Sequence, residues 1–225
     1  MVRLSFLLLI ILFFGCQSNK NQLDLNFQVK GLKKGKITLK KLNDSSFFKI
    51  DSFIVKGDEI INFTYDLKQP EMLFLDLDFT DGSETKSLSF FAENNRMDII
   101  TSIDNYGYKI SVEGSKNDSL LRDYISINKK FNDEKLNLFE RSFENSKTNN
   151  SDSLKIIEKS IININTRQFL HNANYAVRNS RYEIAPYIAI TDLFESEKIL
   201  DTVYKSLKGE VKNSKYALQL KSLIN

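Results

Sequence analysis

The 225 residues include one cysteine, one histidine, two prolines, eight glycines and no tryptophan. A single cysteine excludes an intrachain disulfide and any C-x-x-C redox pair. One cysteine with one histidine cannot complete a closed structural zinc site. The sequence also lacks a G-x-S-x-G turn that would give the histidine a nucleophile to activate. Charge of one sign is equally scarce. There are 32 Lys+Arg against 29 Asp+Glu, a net of +3, so nothing points to a nucleic-acid partner. What the chain does have is apolar mass: 41% hydrophobic residues, with 17 Phe and 9 Tyr. That composition specifies a globular chain of one or two domains with real cores.

The only long apolar run opens the chain, MVRLSFLLLIILFFGC. Arg3 precedes it, and Leu4 to Phe14 are apolar except for Ser5. Eleven residues are too few to cross a bilayer, which takes about 20, but they suit the apolar region of a signal peptide. Gly15-Cys16 then ends the run with a small residue before the sole cysteine. This resembles a bacterial lipoprotein lipobox, with Phe13 where leucine is usual. The resemblance implies a signal peptide over 1–15 and a diacylglyceryl group and palmitate at Cys16. Several acyl chains hold a protein on a membrane far more firmly than one. Residues 16–22 form a polar tether without an acidic cluster, from which we expect an envelope lipoprotein that faces the periplasm.

From Leu23 the apolar residues alternate. Leu23, Leu25, Phe27 and Val29 share one parity, as do Leu73, Leu75, Leu77 and Phe79. Gly31 to Gly35 and Asp81-Gly82 read as turns, and further strands are expected near 37–42, 48–55, 60–66, 88–91, 97–103 and 109–112. Near Gly114 the period changes. Asn117-Asp118-Ser119 offers a helix cap, and Leu120, Tyr124, Ile127 and Phe131 follow at helical spacing. Leu138, Phe139 and Phe143 continue that helix; a polar loop over 147–153 precedes a second one carrying Leu154, Ile157, Ile161 and Ile164. Shorter helices follow near 182–194, 198–211 and 216–224. The expectation is an α+β fold, an antiparallel β-sandwich over 23–115 followed by an α-helical hairpin region over 116–225.

Several motifs lie in a familiar order. Phe27-x-Val29-x-Gly31-Leu32-x-x-Gly35-x-Ile37-x-Leu39, Ile50-Asp51-Ser52, Phe90-Phe91-x-Glu93 and Val112-x-Gly114-Ser115-x-Asn117-Asp118 resemble a domain of unknown function found in Bacteroidota lipoproteins. That domain usually precedes a thioredoxin-like domain of the peroxiredoxin and thiol–disulfide interchange type. Asn179-Ser180, Ala185-Pro186-Tyr187 and Val211-Lys212-x-Ser214-x-Tyr216 resemble the helical segment before it. The cysteines of the redox domain have no counterpart here, so the resemblance carries no redox residue over to this chain.

Other candidate sites each have a plainer explanation. His171 reads as a solvated histidine, or one favoured by a helix C-terminus. Asp76, Asp78, Asp81 and Glu84 cluster, but the spacing of a calcium loop fails, with Asp81 where its glycine would be. Gly31 to Lys36 lacks the spacing of a phosphate loop. Lys30, Lys33, Lys34, Lys36, Lys40 and Lys41 suggest either anionic lipid contact beside the anchor or, the reading we favour, a lysine-guarded edge strand. The leading expectation is a non-catalytic, membrane-anchored envelope protein without cofactor or metal, serving as a binding or assembly module. Its partners would be the membrane and an envelope protein. The alternatives are an accessory to thiol redox or peroxide handling beside a separate thioredoxin-like protein, and a carboxylate-based hydrolase or carbohydrate-binding protein using Asp76 and Asp78.

Overall fold

The computed structural model describes residues 21–43, 46–57, 59–148 and 150–224. Cys16 and its lipobox lie outside them. Eight strands come first: β1 (Gln22–Lys30), β2 (Lys34–Asn43), β3 (Ser46–Lys56), β4 (Ile61–Asp66), β5 (Glu71–Asp78), β6 (Lys86–Ala92), β7 (Arg96–Ser102) and β8 (Ser111–Glu113). Five α-helices follow: α1 (Lys116–Lys147), α2 (Ser151–Arg178), α3 (Ile184–Asp192), α4 (Glu197–Ser206) and α5 (Lys215–Ser222). The class is α+β, as the change of period implies.

Two four-stranded sheets, ordered β4-β1-β7-β8 and β3-β2-β5-β6, face each other. The alternating residues of β1, β2, β5 and β7 fill the space between them. Leu23, Phe27, Ile37, Leu39, Leu75, Met97 and Ile99 are among the fully buried side chains there. Every strand pair is antiparallel except β1 with β7, which run parallel from Asp24↔Arg96 to Lys30↔Ser102. The sandwich is antiparallel as expected apart from this one pair, and the reason for the exception is local. β6 ends at the end of the sandwich where β1 starts, and only Glu93 to Asn95 separate it from β7. A link that short makes β7 run away from that end, alongside β1.

The Phe90-Phe91-x-Glu93 and Gly114-Ser115-x-Asn117-Asp118 motifs form a clasp between the sheet and α1. Gly114 has φ +88°, and a Cβ there would lie 2.2 Å from the Arg96 carbonyl oxygen, so glycine alone fits the bend. Ser115 caps α1 by accepting from the Asp118 N–H at 2.9 Å, and its hydroxyl donates to the Phe91 carbonyl at 2.7 Å. Asp118, 1% exposed, accepts from the Phe91 N–H at 2.9 Å and pairs with Arg122. Asn117 donates to Glu93 through its backbone and side chain, and accepts from the Ile184 N–H at 3.0 Å, satisfying the start of α3.

β5 is covered on both faces. Leu73, Leu75 and Leu77 point into the sandwich, while Met72 joins Phe91, Tyr187 and Tyr216 beneath the helices. Tyr216 accepts from the Met72 N–H at 2.8 Å. α1 and α2 form a long hairpin, about 48 and 42 Å at 1.5 Å per residue. Its outer half holds only a small core of Leu138, Ile157 and Ile164, flanked by half-buried Phe131 and Ile161. Phe139 and Phe143 are exposed. No helix of the described residues is long and apolar enough to cross a membrane.

Candidate functional site

Between α1, α2 and α3 lies a cleft of about 800 Å³ whose lining is rich in carboxamides. On α1, Tyr124, Asn128, Asn132 and Lys135 recur at steps of 4, 4 and 3, and on α2, Asn165, Gln168 and Asn172 recur at 3 and 4. Each set forms one stripe of its helix, and the hairpin turns the stripes towards each other.

The amides form a directed chain. Lys135 Nζ donates to Gln168 Oε1 at 2.8 Å, Gln168 Nε2 to Asn128 Oδ1 at 2.7 Å, and Asn128 Nδ2 to Asn172 Oδ1 at 3.1 Å. The chain stops there. Asn172, 6% exposed, is its last member, accepting through Oδ1. At the α3 side the Tyr124 hydroxyl donates to Asp192 Oδ2 at 2.5 Å. Burial first, then the Asp192 hydrogen bond and charge, push the Tyr124 phenol well above the ordinary tyrosine range, so it stays protonated and fixes the carboxylate. Phe194, exposed over 59% of its surface, offers an aromatic face at the rim. The result is a polar cleft in which donors and acceptors alternate, suited to hydroxyl- or amide-bearing ligands without a strong charge.

The sequence reading missed this site because it followed the apolar stripe on the same helix. The available signal was the repetition of carboxamides at helical spacing. His171, one residue before Asn172, is half-buried and lies seven residues before the end of α2, not in its last turn, which corrects the helix-terminus reading. It packs between Phe131 and Tyr175 at ring separations of 5.8 and 6.0 Å, with a buried Nε2 that has no partner. Desolvation, and next the Arg178 charge, lower its pKa.

The acidic hairpin is occupied by its own neighbours. Asp76 pairs with Lys40 and accepts from the Ser87 hydroxyl, Asp78 accepts from the Thr85 hydroxyl, and Asp81 accepts from Ser83. Among the described residues no three His, Cys, Asp or Glu side chains are grouped to hold a metal ion. Gly31, at φ +83°, is a turn residue between β1 and β2. The lysine-rich strand β2 is not an edge, because it lies between β3 and β5. That overturns the edge-guard reading. Lys36 and Lys40 face Asp78 and Asp76 across the sheet instead. Lys30, Lys33 and Lys34 stand at the far end of the sandwich from Asn21. β1 alone separates the two ends by about 26 Å at 3.3 Å per residue, so these three lysines do not stand beside the start of β1.

No curated protein matches this chain. One family model does, over residues 23–121, a domain of unknown function named DUF4369. The match takes in the sandwich, the clasp and the first turn of α1, and stops three residues short of Tyr124. The cleft therefore lies in the part of the chain that the family does not describe. No thioredoxin-like family matches any part of the sequence. The joint between sheet and helix, with Phe91, Glu93, Ser115, Asn117 and Asp118, falls within the stretch 23–121 that matches this domain of unknown function.

Proposed function

We propose that the protein is a non-catalytic envelope lipoprotein, anchored through Cys16 and facing the periplasm, and that the cleft between α1, α2 and α3 is its ligand site. The ligand class is a neutral saccharide. The observation that carries this reading is the run of alternating donors and acceptors from Lys135 through Gln168 and Asn128 to Asn172 along the cleft wall, which ligand hydroxyls can extend. Carboxamides and the Asp192 and Glu195 carboxylates can take adjacent hydroxyls in pairs, and Phe194 supplies a flat apolar face for a sugar ring. This moves the carbohydrate-binding alternative away from Asp76 and Asp78, whose oxygens are engaged within the sheet. The redox alternative rests on family resemblance alone.

Calorimetry and thermal-shift measurements against a panel of neutral oligosaccharides test this reading. At least one should bind, and Asn172→Leu and Phe194→Ser should each weaken it roughly tenfold or more, the scale of one lost buried hydrogen bond or stacking contact. No turnover of thiol, ester or glycosidic substrates is expected. Binding that survived both substitutions in folded protein would exclude the cleft as the site. A panel without a binder would exclude the saccharide class.

A further inference from the structure

The anchor reading leaves open which end of the molecule meets the bilayer. Asn21 is the first described residue, and its carbonyl accepts from the Leu67 N–H at 2.8 Å. From Cys16 to Asn21 the chain reaches at most about 18 Å. Whatever surrounds Asn21 is therefore close to the lipid.

The β2–β3 hairpin is at that end. Lys41, near the end of β2, donates to the Tyr65 hydroxyl at 2.8 Å, and Tyr65 pairs with Leu23 at the start of β1. The flanks of the hairpin expose three large apolar side chains: Leu42 over 41% of its surface, Phe47 over 55% and Phe48 over 61%. Basic groups stand among them. Lys40 Nζ lies 4.7 Å from the Phe47 ring centre and Lys41 Nζ 6.0 Å from that of Phe48. Between residues 40 and 49 the charges are Lys40, Lys41 and Lys49 against Asp44.

We propose that this end of the sandwich rests on the bilayer, with Leu42, Phe47 and Phe48 entering the headgroup–acyl boundary and the exposed Lys49 beside them meeting anionic headgroups. The occupant is a lipid surface because the tether delivers this end to one. Exposed aromatics interleaved with lysine also match the two halves of that boundary, apolar below and anionic above. The hairpin acts as a second contact that limits rotation about the tether. It gives the sandwich a fixed orientation, with Tyr108, 92% exposed beyond the other end of β7, pointing away from the membrane.

This inference rests on the lipid anchor at Cys16, and the test separates the two. Because the protein has no tryptophan, Phe48→Trp, Phe47→Trp and Tyr108→Trp each create a single fluorophore. Each variant, purified from membranes, is reconstituted in phosphatidylethanolamine–phosphatidylglycerol vesicles carrying doxyl-labelled lipid. Mass spectrometry of the N-terminal peptide reads the acylation. Blue-shifted emission and strong quenching at positions 47 and 48, with neither at 108, is the expected result. An acylated protein whose tryptophans at 47 and 48 remain as water-exposed as the one at 108 would overturn the inference and leave the anchor standing. A protein without acyl groups on Cys16 would overturn both.

Discussion

Among the described residues, Glu183 and His171 are the two whose burial leaves a titratable side-chain atom without a partner, and they shape the pH response in opposite directions. Glu183 is 5% exposed, and desolvation raises its pKa from 4.5 to about 7, against a smaller lowering by the Ser214 hydrogen bond. The folded state therefore holds a proton that the unfolded state releases. The stability this contributes is complete below pH 4.5 and is lost as pH rises through about 7. His171 works the other way, because its lowered pKa keeps it neutral when folded. Its contribution is present above the unfolded value of 6.5 and falls away as acid protonates the unfolded chain. Urea unfolding at pH 5 and pH 8 separates the two. Glu183→Gln should reduce the advantage of pH 5 over pH 8 by roughly 2–3 kcal/mol. His171→Leu should enlarge that advantage by removing the loss on the acid side.

The element on which the architecture turns is the joint from β8 into α1. Asp118→Ala would orphan the buried Phe91 N–H and strip Arg122 of its carboxylate, a loss of about 3 kcal/mol or more. Ser115→Ala removes the cap and should cost about 1 kcal/mol. Breaking the exposed Lys129–Asp133 pair on the same helix should stay within about 0.5 kcal/mol. Chemical unfolding of the three variants gives the order directly; equal effects would mean that the clasp does not hold the helix to the sheet. The strands and helices themselves were legible in the sequence, since alternation and 3.6-residue spacing are local. The β1–β7 pairing and the interior position of β2 were not, because register between distant strands leaves no mark on either strand alone.

For the whole molecule, the sandwich and the helices stabilise each other. Met72 and Phe91 belong to the sheet by sequence, yet they lie in the helical core with Tyr187 and Tyr216. A fragment ending at residue 115 would expose both and lose the Tyr216 bond to Met72. We expect it to melt at least about 10 °C below the full chain, or to aggregate, as an uncovered sheet face does. Differential scanning calorimetry of fragment and full chain tests this, and equal melting temperatures would show an autonomous sandwich. The cleft depends on the same assembly, since α3, whose first turn is bonded by Asn117, carries the Asp192 that binds Tyr124.

The sequence by itself determined the element types, the turn at Gly31, the change of period at Gly114 and the family resemblance of its short motifs, all of which depend on neighbours within a few positions. Its lone Cys16 supplied the anchor hypothesis through its local surroundings as well. Only the tertiary structure decided that Asn128, Gln168 and Asn172 form one hydrogen-bonded chain, that His171 is wedged between rings, and that the hairpin carrying Phe47 and Phe48 sits beside the tether. Those facts are distances between residues 24 to 44 positions apart, fixed by packing rather than by any local pattern. The scarcity of cysteine and histidine narrowed the chemistry available, and the folded arrangement of ordinary amides and aromatics supplied the candidate sites.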